Sequence, residues 1–141
     1  AGRRACGQAV VAGRLMTRTR ASAKAAGSRF ESQVAAYLAD HIDDRIERRT
    51  RHGAKDRGDI AGFRHMGARL VVECKNVARL SLATWITEAE VERGNDDATA
   101  ALVIHKRHGH GDAADQYVTL TLGDLVALLN GNRCHIERTT P

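Results

Sequence analysis

Two carboxylates and one lysine occupy positions in the sequence from which they can act on a common substrate. Asp59 opens a short apolar segment, and Glu73 and Lys75 lie in a second apolar segment that begins at Leu70. Because side chains alternate along a β-strand, Glu73 and Lys75 share one face if this segment is a strand. A hairpin would bring Asp59 to the same region of the sheet. Two carboxylates supply the oxygen ligands that suit Mg²⁺, and an adjacent lysine can orient a water molecule.

Hydrophobic periodicity predicts the helices that must support these groups. One helix is expected from about Ser28 to His41, with Ser28 and Glu31 forming a capping box at its start. A second helix is expected from Ser81 to about Arg93, and a short last helix from 121 or 122 to 129. On the second helix, we expect the acidic residues to form an exposed face balanced by Arg93; they are Glu88, Glu90 and Glu92.

The strand pattern predicts an α/β fold. Strands are expected at about 45–49, 59–63, 70–76, 101–105 and 117–122. The second and third of these strands are close enough in sequence to form a hairpin, with Gly67 in its turn. The fourth follows a helix and is expected to pair in parallel with the third. The order of elements therefore predicts a mixed central β-sheet flanked by helices. Cys74, between Glu73 and Lys75, is expected to face the core.

The positive charge is concentrated near the amino terminus. The formal net charge is +5, and residues 1–30 contain seven basic side chains and no acidic one. We therefore predict a flexible basic arm at 1–26 and a single folded domain at 27–141. Because an arginine fork suits phosphate oxygens, a second set of basic residues is predicted to contact nucleic acid together with Arg29. This set consists of Arg48, Arg49, Arg51, Lys55 and Arg57.

Composition excludes some other classes of protein. The sequence has no apolar run of the ~20 residues that a membrane-spanning helix needs, so no membrane partner is expected. The three cysteines form no CxxC pair, which favours a reducing compartment and a cytoplasmic location. The few aromatic residues count against recognition of single strands by base stacking.

At these residues the chain resembles the PD-(D/E)xK nuclease superfamily. The match consists of Gly58-Asp59-Ile60 for the first motif and Glu73-Cys74-Lys75 for the second, with Glu31 in the place of a common extra acidic residue. The layout is most similar to archaeal-type Holliday junction resolvases and their phage and bacterial relatives, over about residues 27–106. Gly58 stands where the superfamily name has proline, and this replacement is common there.

The resemblance implies a restriction-endonuclease-like fold and a Mg²⁺-dependent endonuclease in which Mn²⁺ can replace Mg²⁺. Asp59, Glu73 and Glu31 would hold the metal, and Lys75 would position the attacking water and stabilise charge on the phosphate. The implied substrate is branched DNA, above all the four-way junction, in recombination, repair or phage DNA processing in a bacterial, archaeal or phage-infected cell. Because a two-fold protein suits a two-fold substrate, a homodimer is implied. The helix of Trp85 or the late strands would form its interface.

Two other functions stay open at this point. The same site would serve a restriction-like or repair endonuclease that cuts duplex, flap or single-stranded DNA. The carboxylates could instead only balance nearby arginines in a non-catalytic nucleic-acid-binding module. Metal-dependent cleavage separates these two classes, because a binding module keeps its salt-dependent affinity but leaves the phosphodiesters intact.

Overall fold

A computed structural model describes residues 19–51, 53–134 and 136. The helices are α1 (Arg20–His41), α2 (Leu82–Asn95) and α3 (Leu122–Asn130), and the strands are β1 (Glu47–Arg48), β2 (Ile60–Ala61), β3 (Arg64–His65), β4 (Ala68–Lys75), β5 (Ala100–His105) and β6 (Tyr117–Thr119). A four-stranded sheet has the order β3-β4-β5-β6, and β1 and β2 pair separately. This arrangement confirms the mixed α/β fold. Within the described ranges, every helix is too short or too polar to cross a membrane.

The central pair of strands, β4 and β5, is parallel as predicted. In its register Glu73 lies opposite Val103, and Lys75 lies opposite His105. Parallel neighbours need a long crossover connection, and α2 provides it. All six residues of β5 are buried, which is typical of a strand that is covered on both faces. The site residues of β4 therefore stand next to the most buried strand of the sheet.

Helix α1 begins at Arg20, eight residues before the predicted start at Ser28. Thr19 is its N-cap, and the Thr19 side chain accepts a hydrogen bond from the backbone N–H of Ser22. The alanine-rich segment 21–26 favours a helix strongly enough to continue it through Gly27. The predicted capping box is therefore wrong. Residues 20–26 of the predicted flexible arm are helical, and residues 1–18 lie outside the described residues.

The predicted hairpin is present in an irregular form. The strand that pairs antiparallel with β4 is the short β3, whereas β2 pairs with β1. The chain before β3 still follows β4, because the Asp59 N–H donates to the Val72 carbonyl at 2.8 Å and the Leu70 N–H donates to the Phe63 carbonyl at 2.9 Å. Gly67 has a φ of +79°, as expected for the turn. Asp59 is thereby fixed beside the middle of β4.

The two faces of the sheet pack against different helices. On one face, Phe30 and Val34 of α1 pack against Leu70, Val72, Leu102 and Ile104. On the other face, Trp85 and Ala89 of α2 pack against Ala101 and Val103. This alternation confirms the predicted orientation of β4, with Cys74 packed against the α1 side. Burial raises the pKa of the Cys74 thiol, so this residue is a packing group.

Candidate active site

Asp59 is held by β4 through both its backbone and its side chain. Its N–H donates to the Val72 carbonyl, and its Oδ2 accepts a hydrogen bond of 2.8 Å from the Cys74 N–H. The preceding Gly58 has a φ of +85°, and a Cβ there would lie 2.8 Å from the Val72 carbonyl oxygen. Proline cannot adopt a positive φ, so this backbone requires the glycine found at the proline position of the motif.

Glu73 and Lys75 share a face of β4, as predicted, and they contact each other. The Lys75 Nζ lies 2.7 Å from the Glu73 Oε1 and 2.7 Å from the Glu88 Oε2 on α2. Glu73 is buried, with 6% of its surface exposed. Its second oxygen, Oε2, is buried without a hydrogen-bond donor in the described part of the chain. Glu73 therefore has one oxygen that is paired with a cation and one that is not.

Lys75 carries a positive charge at neutral pH. Although burial opposes the charged form, its hydrogen bonds to Glu73 and Glu88 raise the pKa of Lys75 above its usual value. An ammonium that stays protonated can donate hydrogen bonds and stabilise negative charge, but it cannot take a proton. Glu88, which the sequence pattern placed on a solvated face, is therefore an anchor for the lysine.

Asp59 and Glu73 converge from their two segments into side-chain contact, as the hairpin prediction required. Burial, followed by the negative charge of Glu73, raises the pKa of Asp59 to about 7, although the Cys74 N–H acts in the opposite direction. Two buried carboxylates in contact do not both ionise readily without a counter-charge. This pair is therefore suited to hold either a proton or a cation.

Glu92, which the sequence pattern predicts on an exposed face, is instead a buried member of this cluster. Only 6% of its surface is exposed, its side chain contacts Glu73, and its Oε2 has no hydrogen-bond donor within the described residues. Burial, and next the charge of Glu73, raises the pKa of Glu92 to about 9. The predicted exposed face therefore does not include Glu92.

The position of Glu92 could have been found from the spacing along α2. Trp85, Ala89 and Glu92 are the buried residues of this helix, and their spacing of four and three places them on one face. Glu88 and Glu90 lie off this face. Glu90 pairs with Arg93 at 3.2 Å, as the charge pattern predicted.

Glu31 lies beside the carboxylate cluster and pairs with Arg48. The Arg48 Nε lies 2.7 Å from the Glu31 Oε2. The charge of Glu31 contributes to the raised pKa of Asp59, but less than burial and the charge of Glu73 do. The structure therefore brings Asp59, Glu73 and Lys75 together and leaves the fourth predicted catalytic residue at the edge.

The predicted basic residues line a cleft that begins next to Asp59. The cleft has a volume of about 510 Å³, includes Gly58, and is lined by Arg48, Arg49, Arg51, Lys55 and Arg57. Several of these cations have acidic partners. Arg49 pairs with Asp96 at 3.3 Å, and Arg51 pairs with Asp56 at 3.4 Å. Arg29 is exposed on α1 and lines a different recess.

The donor set at the end of β4 fits a magnesium ion that is bound by few protein ligands. In the part of the chain that the structure describes, no three or more His, Cys, Asp or Glu side chains form a group that could hold a metal. Mg²⁺ commonly uses one or two carboxylates and keeps several waters. Asp59 and Glu73 provide such a pair, and the uncompensated Glu73 Oε2 favours a cation there.

Comparison with protein families, with curated proteins and with solved structures found no match. The resemblance to the PD-(D/E)xK superfamily therefore stays a prediction from the residues of this chain.

Proposed function

We propose that this chain is a Mg²⁺-dependent DNA endonuclease with a restriction-endonuclease-like fold, and that it cuts four-way junctions as a homodimer. One observation carries the proposal. Asp59 and Glu73 meet in side-chain contact at β4, while Lys75 donates to Glu73 on the same face. These are the residues of the two motifs, and they come from separate segments of the chain.

Asp59 and Glu73 are the residues that would hold the metal. When bound, Mg²⁺ supplies a Lewis acid that acidifies water and polarises the phosphate. Lys75 acts from the chain itself. Its ammonium has three N–H donors, of which Glu73 and Glu88 each accept one, and the remaining donor is available to the attacking water or to a phosphate oxygen. The fixed positive charge stabilises the negative charge that develops on the phosphate.

Glu92 and Glu31 act through other residues in this proposal. Burial raises the pKa of Glu92 to about 9, so Glu92 is protonated at neutral pH in this proposal and its hydroxyl can donate to the Glu73 carboxylate that it contacts. This contact orients the carboxylate before the cation binds. Glu31 fixes the guanidinium of Arg48 at the wall of the basic cleft, where it faces the phosphate backbone. Both are therefore positioning residues.

Exposed apolar residues support a homodimer through the last strand and helix. Trp85 is buried inside the fold, so the apolar side of α2 is already covered. In contrast, β6 is an edge strand on which Val118 is 52% exposed, and on α3 Leu122 and Leu129 are 76% and 67% exposed. An edge strand beside an apolar helix is a surface that a second copy of the chain can cover.

The non-catalytic alternative finds support in the cleft but not at β4. Arg49 and Arg51 are each balanced by an aspartate, as a binding module would require. Asp59 and Glu73 have no arginine partner within the described residues, and their repulsion has no purpose in such a module. A restriction-like or repair endonuclease would use the same residues on a different DNA structure.

Cleavage of a substrate panel tests the proposal. Labelled four-way junctions, flaps, single strands and linear duplex are incubated with the protein in Mg²⁺ and in chelator. We expect paired symmetric nicks in the junction, only with Mg²⁺, and their loss in Lys75→Ala but not in Lys24→Ala, which removes an exposed lysine on α1. Equal cutting of linear duplex would support the restriction-like alternative. Salt-dependent binding without any cleavage would support the binding module.

A further inference from the structure

A second recess lies at the carboxyl ends of β4 and β5, on the sheet face that α1 covers. It has a volume of about 180 Å³ and is lined by Ala26, Arg29, Phe30, Gln33, Asn76 and Lys106. The first four belong to α1, and the last two directly follow the parallel strands. The ends of adjacent parallel strands are a common place for ligand binding in α/β sheets.

The charge of this recess is positive and uncompensated. Among the described residues that line it, Arg29 and Lys106 are the only ionisable ones and none is acidic. Within the described residues, neither cation has an acidic partner, and Arg29 makes no hydrogen bond. The larger cleft differs in this respect, because Arg49 and Arg51 are both paired there with aspartates.

Fixed amide groups complete the recess. The Gln33 Nε2 donates to the Gly111 carbonyl at 2.6 Å, and the Asn76 Nδ2 donates to the Ala26 carbonyl at 3.3 Å. The Lys106 Nζ donates to a backbone carbonyl in the loop after β5. Each of these groups has a further N–H that these contacts do not use. The recess therefore presents several held donors and two cations, which is the chemistry that binds a phosphate oxygen.

The recess and the basic cleft lie on opposite flanks of α1. Ser28 and Glu31 face the cleft, where both contact Arg48. Gln33 faces the other side, toward the loop that follows β5. Glu73 and Asn76 are three residues apart, which corresponds to ~10 Å along an extended chain. The recess lies on the α1 side of the sheet and the Glu73 side chain on the α2 side, so a DNA strand that reaches both must pass around the carboxyl end of β4. DNA carries a phosphate every ~3.4 Å along the axis of each strand, so such a strand has further phosphates within this span.

We propose that this recess is a phosphate subsite that binds a backbone phosphodiester of the DNA strand near the bond that is cut. The inference rests on the proposed function, because it takes that DNA strand as its ligand. Arg29 and Lys106 then grip the strand on one side of Asp59 and Glu73, and the basic cleft grips it on the other. The substrate is thereby held at both sides of the reacting phosphate.

Salt-dependent DNA binding tests the subsite. Anisotropy of a labelled four-way junction and a labelled duplex is measured in chelator over a series of salt concentrations, with Arg29→Gln, Lys106→Gln and the double variant. The slope of log K against log [salt] is negative. We expect its magnitude to be smaller by about 0.9 in each single variant and by about twice that value in the double variant. Lys106→Arg should keep the slope of the wild type, because arginine carries the same positive charge as lysine. Slopes equal to that of the wild type would overturn the subsite.

Arg64→Gln is the matched control, since Arg64 is exposed on β3 beside the opposite end of β4. It should leave the slope unchanged, and a slope reduced as strongly as in Arg29→Gln would overturn the assignment to the recess. Arg29 is exposed, so Arg29→Gln should keep the wild-type melting temperature and decide the question even if the Lys106 variant unfolds. Binding of inorganic phosphate is measured as a second test. If phosphate binds saturably but the variants keep the wild-type slope for DNA, the recess is a site for free anions and the proposal is contradicted.

Binding in chelator separates this inference from the endonuclease proposal. A protein that binds junctions but never cuts them in Mg²⁺ contradicts the endonuclease, while the slopes still decide the subsite. In a protein that cuts, the variants should raise KM and leave kcat at saturating DNA within about twofold, since the recess does not touch the reacting atoms. A wild type that binds no DNA would overturn both proposals.

Discussion

Helix α2 lies between two clusters of buried or half-buried carboxylates that differ in how their charge is balanced. Toward α3, Asp124 is 1% exposed and pairs with Arg133, and its neighbour Glu90 pairs with Arg93. Although burial opposes ionisation, the contacts with Glu90 and Arg133 lower the pKa of Asp124. Burial and the contact with Asp124 raise the pKa of Glu90, so Asp124 is the member of this cluster that keeps its charge, with Arg133 as its counter-charge.

In the part of the chain that the structure describes, the cluster at β4 has three buried carboxylates, Asp59, Glu73 and Glu92, and one cation, Lys75. Burial and mutual repulsion raise the pKa of Asp59 to about 7 and that of Glu92 to about 9. The same fold therefore neutralises one acidic cluster with arginines and leaves the other short of positive charge. Burial of carboxylates alone therefore does not indicate a functional site, whereas burial of carboxylates without enough positive counter-charge does.

Removal of the Asp59 charge should have the largest effect, because it should lower the cleavage activity and raise the stability of the protein. We expect Asp59→Asn to lower kcat for DNA cleavage by about 10²–10³-fold or more, because a ligand of the stabilising cation is lost. The same change should raise the melting temperature in chelator, since it relieves repulsion and asparagine can still accept from the Cys74 N–H. Single-turnover cleavage and thermal unfolding measure the two effects.

Asp97→Asn is the control for this substitution. Asp97 is exposed and has a φ of +49°, a conformation that asparagine tolerates. Asp97→Asn should change neither the kcat for DNA cleavage nor the melting temperature in chelator. Normal cleavage by Asp59→Asn would show that Asp59 does not have its assigned role.

A substitution in the cluster of Asp124 and Arg133 should have the opposite effect, because it should lower stability and leave the cleavage activity unchanged. Asp124→Asn leaves Arg133 without its acidic partner, and we expect a loss of about 2–3 kcal/mol in the free energy of unfolding. At a temperature well below the transition, the rate of cleavage should stay within about twofold of the wild type, because the network lies on the other side of α2. Denaturant unfolding and cleavage assays measure the two quantities. A large loss of activity in the folded variant would contradict the separation of the two clusters.

The sequence predicted the reactive part of the fold because that part depends on local rules. Strand alternation placed Glu73 and Lys75 on one face, and the helix between two apolar strands predicted their parallel pairing. The contact of Asp59 with Glu73 was predictable because the two segments that carry these residues are joined by a short hairpin connection. Each of these inferences needs only neighbouring residues and the period of a strand.

Other features depend on contacts between distant segments. The pairing of Arg49 with Asp96 and of Glu31 with Arg48 joins residues far apart in sequence, so the charge pattern did not indicate it. The predicted start of α1 is wrong, because the alanine-rich segment before Gly27 and Ser28 favours a helix more strongly than these two residues oppose it. Whether the whole fold is restriction-endonuclease-like stays a prediction.

Stability in chelator should fall as the pH rises, as a result of the uncompensated cluster. The pKa of Asp59 is raised from 3.8 to about 7 and that of Glu92 from 4.5 to about 9, so the folded state binds more protons than the unfolded state between these values. The stabilisation is therefore present at low pH and is lost as the pH rises through about 7 and then about 9. Mg²⁺ should restore part of it, most strongly at the alkaline end.

Melting temperatures between about pH 5 and pH 9, with and without Mg²⁺, test this dependence. Asp59→Asn should make the profile in chelator flatter, whereas the Asp97→Asn control should not. A melting temperature that rises steadily with pH in chelator would contradict the raised pKa values.

The smallest change should come from replacement of Glu92 by a residue that keeps its hydrogen bond. Glu92→Gln can still donate to Glu73, so we expect cleavage within about threefold of the wild type and a flatter dependence of melting temperature on pH. Glu92→Leu has a similar volume but no donor, and we expect about tenfold weaker Mg²⁺ binding, measured by calorimetry, because Glu73 is no longer held in place. A purely structural role would lower the melting temperature of the leucine variant without changing its Mg²⁺ affinity. Equal Mg²⁺ affinities in the glutamine and leucine variants would therefore show that Glu92 does not position Glu73.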